Sequence, residues 1–138
     1  LKVATTGTDA DWIVKVVDVH PHDAEEQKEG MQDHLAMSNY HLMVRSEVMR
    51  GRFRNSFENP EPFVPNQKTA VNIKLQDVYH TFKKGHKLQI QVQSTWFPLI
   101  DLNPQTFVPN IYKAKEEDFK NQTHTIFNDS KIEFSVLK

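Results

Sequence analysis

Residues 87–94 alternate strictly between apolar and polar side chains, with Leu88, Ile90 and Val92 on one side and Gln89, Gln91 and Gln93 on the other. Successive side chains of an extended strand point to opposite faces, so this spacing predicts a strand covered on one face and wet on the other. Strands of that kind belong to antiparallel sheets, because parallel strands are covered on both faces and need long crossovers. The pattern recurs along the chain. Val71, Ile73 and Leu75 alternate with Asn72 and Lys74, and Ile132, Phe134 and Val136 with Lys131, Glu133 and Ser135. Residues 40–48 place Tyr40, Leu42, Val44 and Val48 on one side. Residues 1–6 and 122–127 are further strand candidates. Residues 11–20 are apolar on both faces, which predicts a central strand.

Turn chemistry separates these runs: Lys84-Gly85, Asn128-Asp129-Ser130, and the prolines at 60, 62 and 65. Helix signals are confined to residues 114–120 and one turn near 51–58. Residues 23–33 read as a solvated loop, and residues 95–110 as a long loop without period. Many short strands and almost no helix predict one all-β domain over residues 1–138, a sandwich or barrel. Its expected core holds Val14, Val16, Val71, Ile73, Leu88, Ile90, Val92, Phe134 and Val136, with Lys74, Gln89 and Gln91 outward.

Several kinds of chemistry are excluded for this chain. It has no cysteine, so neither a disulfide nor a thiolate nucleophile exists. No serine sits in the G-x-S-x-G elbow of an α/β-hydrolase, and the four glycines are scattered rather than gathered into a phosphate loop. The 17 Lys+Arg balance 18 Asp+Glu, so no global field favours nucleic acid or an anionic membrane. No apolar run reaches the roughly 18–20 residues of a transmembrane helix.

Two clusters invite a functional reading. His20 and His22 with Asp18 and Asp23 resemble zinc ligands in type, but alternate positions ending a strand at Pro21 are also what a polar turn looks like, and the turn is the expected reading; no metal or cofactor is assigned. His80 and His86, flanking the turn at residues 83–85, read as hydrogen-bonded turn histidines. The basic run Arg50, Arg52 and Arg54 lies near Glu47, Glu58 and Glu61, which predicts internal ion pairs.

Four ordered segments carry a resemblance. They are Asp9-Ala10-Asp11-Trp12-Ile13-Val14-Lys15-Val16-Val17-Asp18-Val19, Arg50-Gly51-Arg52-Phe53-Arg54-Asn55-Ser56-Phe57, Phe82-Lys83-Lys84-Gly85-His86-Lys87, and Gln91-Val92-Gln93-Ser94-Thr95-Trp96-Phe97-Pro98-Leu99-Ile100-Asp101-Leu102-Asn103-Pro104-Gln105-Thr106. Together they resemble the C-terminal domain of the X-Pro dipeptidyl-peptidase and cocaine esterase hydrolases, nearest to the α-amino acid ester hydrolase (glutaryl-7-aminocephalosporanic acid acylase-like) branch. The likeness runs from about residue 5 to residue 137; residues 25–35 are longer and more polar than the family pattern.

The resemblance implies an antiparallel jelly-roll sandwich of the galactose-binding-domain-like type, lacking its first strand or strands. It implies an α/β-hydrolase domain of the same parent chain as partner, bearing the Ser-His-Asp triad, and no catalytic residue here. The expected function is therefore that of a non-catalytic accessory domain of a serine hydrolase acting on esters or amides. A carbohydrate-binding module is the alternative, with Trp96 beside Asp101 and Asn103 as its only candidate cluster. The chain starts at Leu1 without Met, which suggests a fragment of a larger protein, and the branch suggests the bacterial periplasm or secretion. Trp96, Phe97, Pro98, Asp101 and Asn103 are the expected interface or cleft-wall residues, because apolar side chains in a long loop mark a contact surface; the other reading of the loop is that its side chains cap the open end of the sandwich, with Asp101 and Asn103 bonding the loop's own backbone. Self-association is the other way such a surface could be covered.

Overall fold

A computed structural model describes residues 1–24 and 37–137. Among the described residues there are six strands: β1 Lys2–Thr5, β2 Asp11–Val19, β3 His41–Arg50, β4 Thr69–Ala70, β5 Lys87–Gln93 and β6 His124–Ile126. They form two three-stranded sheets, ordered β4-β1-β6 and β3-β2-β5. β1 pairs antiparallel with both neighbours, Val3 facing Thr69 on β4 and Ile126 on β6. The only helical turns among the described residues are 3-10 turns at Gly51–Phe53, Ile111–Lys113 and Glu116–Asp118. The chain is an antiparallel β-sandwich, where the alternation left a sandwich or a barrel and the resemblance implied a sandwich. β2, apolar on both faces, is the central strand of its sheet.

The residues group into two compact units, one of Leu1–Ile13, Val48–Ile73 and Gln93–Lys138 and the other of Val14–Glu47 and Lys74–Val92. In the first unit Val3, Ala10, Trp12, Ile13, Phe63 and Val71 are fully buried. Gly51 donates its amide to Ala10 O at 2.8 Å, and a Cβ there would stand 2.3 Å from the Phe63 ring, so only glycine permits this approach. Beside it lies a buried ion pair. Arg52 Nε and Nη2 both donate to Asp9 Oδ2, at 2.8 and 2.6 Å, and Nη1 donates to Val108 O at 2.8 Å. Arg54 pairs with Glu61 at 3.9 Å and Arg50 reaches Asp11 at 4.0 Å. The arginine run is thus internally paired, though mostly with aspartates rather than the expected glutamates.

In the second unit Val14, Val16, Val17 and Ala24 are buried, but β5 departs from expectation. Leu88 is 47% exposed and Ile90 is also exposed, while Gln89 and Gln91 are half-buried. Phe134 and Val136 are exposed too, and Ile73 and Val92 only half-buried. The strand expected over 69–75 forms a ladder only at Thr69–Ala70, and residues 131–137 form none. Alternation shows that one face of a segment is apolar; it does not show that the same chain supplies a cover or a neighbouring strand. Lys74 is outward as expected. Most of the loop expected at 23–33 lies outside the described residues.

Candidate functional site

The loop after β5 has an anchored half and a projecting half. Asn103 Nδ2 donates to Asp11 Oδ1 at 2.8 Å, and Asn103 Oδ1 accepts from Gln105 N at 2.7 Å. Gln105 O accepts from the amides of Thr8 and Asp9, both at 3.3 Å, and Phe107 N donates to Thr8 Oγ1 at 2.8 Å. A Cβ at Gly7 would lie 2.5 Å from Gln105 O, so the contact requires glycine. Pro104 is fully buried and the Arg52 guanidinium lies 4.7 Å from the centre of the Phe107 ring. These contacts fix the loop's second half against residues 7–11.

The first half stands outward. Trp96 is half-buried, its carbonyl accepting from Ile100 N at 3.0 Å, and the Phe97–Pro98 peptide is cis. Phe97 is 64% exposed and Leu99 67% exposed; Pro98 and Asp101 are exposed as well. Leu99, Ile100, Met49, Phe53 and Phe57 line an open groove of about 320 Å³, with Arg50 and Asp101 also in its wall. Asp101 Oδ2 accepts from the Tyr112 hydroxyl at 3.0 Å and lies 3.9 Å from Arg50 Nη2. Arg50 also reaches Asp11, which is buried, and burial pushes the Asp11 carboxyl up to about 6 despite the Asn103 hydrogen bond and the Arg50 charge. Of the five residues picked from sequence, four thus lie in the projecting half, whereas Asn103 belongs to the anchor.

The histidines gather elsewhere, within the second unit. Asp18 points inward from the end of β2, and its two oxygens accept from His80 Nε2 at 2.8 Å and His86 Nδ1 at 2.9 Å. Burial opposes its ionisation, but these two bonds outweigh it and hold its carboxyl below the usual range. The expected turn histidines are hydrogen-bonded accordingly. His20 stacks against His86 with ring centres 4.4 Å apart. His22 and Asp23 are exposed and outside this cluster, with His22 Nδ1 at 3.1 Å from both Ser38 Oγ and Asn39 Nδ2. Asp18, His20 and His86 each place a potential metal-ligating atom within 4.8 Å of the others. The grouping of residues 18 and 20 was visible in the alternation; the arrival of His86 was not, because strand pairing and not spacing brings it there.

The family model of the X-Pro dipeptidyl-peptidase C-terminal non-catalytic domain matches residues 1–136. This chain belongs to that family. Solved structures agree. An aminopeptidase from the marine sediment archaeon Thaumarchaeota archaeon superposes with a TM-score of 0.81 at 42% identity, over 90% of this chain and 19% of its own. A selenomethionine-labelled α-amino acid ester hydrolase superposes with a TM-score of 0.80 at 43% identity, with the same coverage. The chain therefore spans about a fifth of the length of these two hydrolases. No curated protein matches. As a member of the X-Pro dipeptidyl-peptidase C-terminal family the chain is a non-catalytic domain, and the carbohydrate-binding alternative finds no support among these relatives.

Proposed function

We propose that this chain is one module, residues 1–138, that packs on the α/β catalytic domain of a serine hydrolase cleaving esters or amides, and that the projecting loop of Trp96, Phe97, Pro98 and Asp101 forms part of that contact and walls the cleft. The exposure of Phe97 and Leu99 on a loop whose base is anchored carries the reading. Water-facing Phe and Leu side chains beside an apolar groove favour a protein cover, and an anchored base presents them with little ordering cost on contact. The hydrolase relatives have about four-fifths of their length outside the matched region, ample for a catalytic domain. In such a parent the nucleophile, base and oxyanion hole belong to that domain. This module's part is to exclude water and support the cleft wall.

The test uses the full-length protein with Phe97→Ala and Leu99→Ala combined. Ester or aminopeptidase kcat/KM, or the thermal stability of the full-length protein, should fall, while the 138-residue chain alone unfolds at an unchanged midpoint. Unchanged activity together with unchanged full-length stability would overturn the contact. Equal destabilisation of the chain alone would reassign the loop to internal capping.

A further inference from the structure

We propose that Asp18, His20 and His86 form a binding site for one divalent transition-metal ion of the zinc class, with His80 positioning the Asp18 carboxylate from outside. Two imidazoles and a carboxylate are a donor set that zinc takes with an open fourth position. All three side chains stand on adjoining elements of one unit. Residues 18 and 20 alternate at the end of β2 and so share a face. His86 follows the Gly85 turn and directly precedes β5, the neighbour of β2 in the sheet. Sheet pairing therefore holds the three donors together without any loop having to close over them.

Two independent observations point to an ion. The first is distance. Ligands about 2.0–2.2 Å from a tetrahedral ion lie roughly 3.4 Å from one another; donors already within 4.8 Å reach that spacing by small side-chain rotations. The second is His20. It is 7% exposed, yet neither ring nitrogen has a hydrogen-bond partner among the described residues. A buried imidazole with neither nitrogen satisfied is costly, whereas a metal bond to one nitrogen replaces the lost hydration.

The surrounding bonds suit the same role. His86 Nδ1 and Asp18 Oδ1 stand 2.9 Å apart across a shared proton, and an ion between them would take that proton's place, each atom turning a lone pair to it. A carboxylate has about four lone-pair sites, so Asp18 can accept from His80 and still bind an ion. His80 Nε2 then fixes the carboxylate as outer-shell partners of metal ligands do. His22, two residues from His20 but exposed, lies outside the set. This reading departs from the sequence expectation of no metal, and it stands apart from the proposed interface loop.

The experiment strips the protein with a chelator, then titrates Zn²⁺ calorimetrically and Co²⁺ by visible absorption. Wild type should take up one equivalent and give the intense visible bands of low-coordinate cobalt with nitrogen and oxygen ligands. His20→Gln and His86→Gln should abolish uptake, with the metal-free variants still folded by circular dichroism. His80→Gln should weaken affinity about tenfold or more, and His22→Gln should leave it unchanged. Zn²⁺ should also raise the melting temperature of wild type and not of His20→Gln, a readout independent of variant folding yield. No uptake by wild type overturns the site. So does retained uptake in His20→Gln, or equal loss in His22→Gln.

Discussion

The loop at residues 96–102 and the Asp18 cluster invert the usual partition of side chains in opposite ways. At the loop, Phe97 and Leu99 are apolar and lie in water. In the cluster, Asp18 and His20 are polar and lie inside. An exposed apolar group is relieved only by a surface arriving from outside, and a buried polar group only by a partner within reach. The two proposals follow that difference: another domain covering the loop, and for the cluster an ion small enough to sit among three side chains. The two inversions also differ in cost. Exposed apolar surface is tolerable in an isolated domain, whereas an unpaired buried polar group draws directly on stability.

That contrast breaks most sharply at Asp9. It is a buried polar group with its partner present, the opposite of His20. Arg52→Ala leaves the Asp9 carboxylate buried and unpaired and should cost about 3–5 kcal/mol in urea unfolding. His20→Leu, measured without metal, removes no described hydrogen bond and should cost about 1 kcal/mol or less. If the two variants lose similar stability, His20 has a protein partner and the contrast between the sites fails.

A second comparison sets two isoleucines side by side. Ile13 on β2 is fully buried and Ile90 on β5 is exposed. Ile13→Ala should cost about 2–5 kcal/mol, whereas Ile90→Ala should cost under about 1 kcal/mol in this chain because no packed cavity is created. In the full-length protein, a larger loss at Ile90 would show that the apolar face of β5 is covered there. Equal losses in the chain alone would mean that β5 is packed inward after all.

The same pair marks how far the sequence was legible. β2 reads as central because both its faces are apolar, and it lies between β3 and β5. The positions of β1, β3, β5 and β6 follow from alternation and turn residues, since these are local properties of the backbone. Which face of β5 is covered depends on atoms contributed from elsewhere, and alternation is silent about them. Residues 131–137 alternate as cleanly as β5 and still form no ladder, because a strand exists only with a neighbour. Charge pairing was equally underdetermined. The arginine run was bound to find carboxylates, but Asp9, Asp11 and Asp101 are chosen by the fold. The projecting loop was visible as apolar residues without period, and its exposure follows from Asn103, Pro104 and Phe107 holding only its second half.

Asp11 lies between the two extremes, a buried carboxylate with incomplete compensation. Its partners are Asn103 at 2.8 Å and Arg50 at 4.0 Å, and Asp9 and Arg52 act on it electrostatically with opposite signs. Burial dominates and lifts its carboxyl from 3.8 to about 6. A raised folded-state value means that the folded chain holds this proton more tightly than the unfolded chain. The folded state is favoured by this group below about pH 4, where both states are protonated. That advantage is lost as pH rises from about 4 to about 6, and the loss stays constant above. At 1.36 kcal/mol per unit, its full size is at most about 3 kcal/mol. Asp11→Asn keeps an oxygen to accept from Asn103 and removes the titration. The stability of the variant relative to wild type should therefore rise by about 1–3 kcal/mol between pH 4 and pH 7 and then level off, as read by urea midpoints across that range. A difference that does not change with pH would show that burial exerts no net hold on this carboxyl. A relative fall of the variant with rising pH would show that Arg50 and Asn103 outweigh burial, so that Asp11 would join Asp9 as a fully compensated charge.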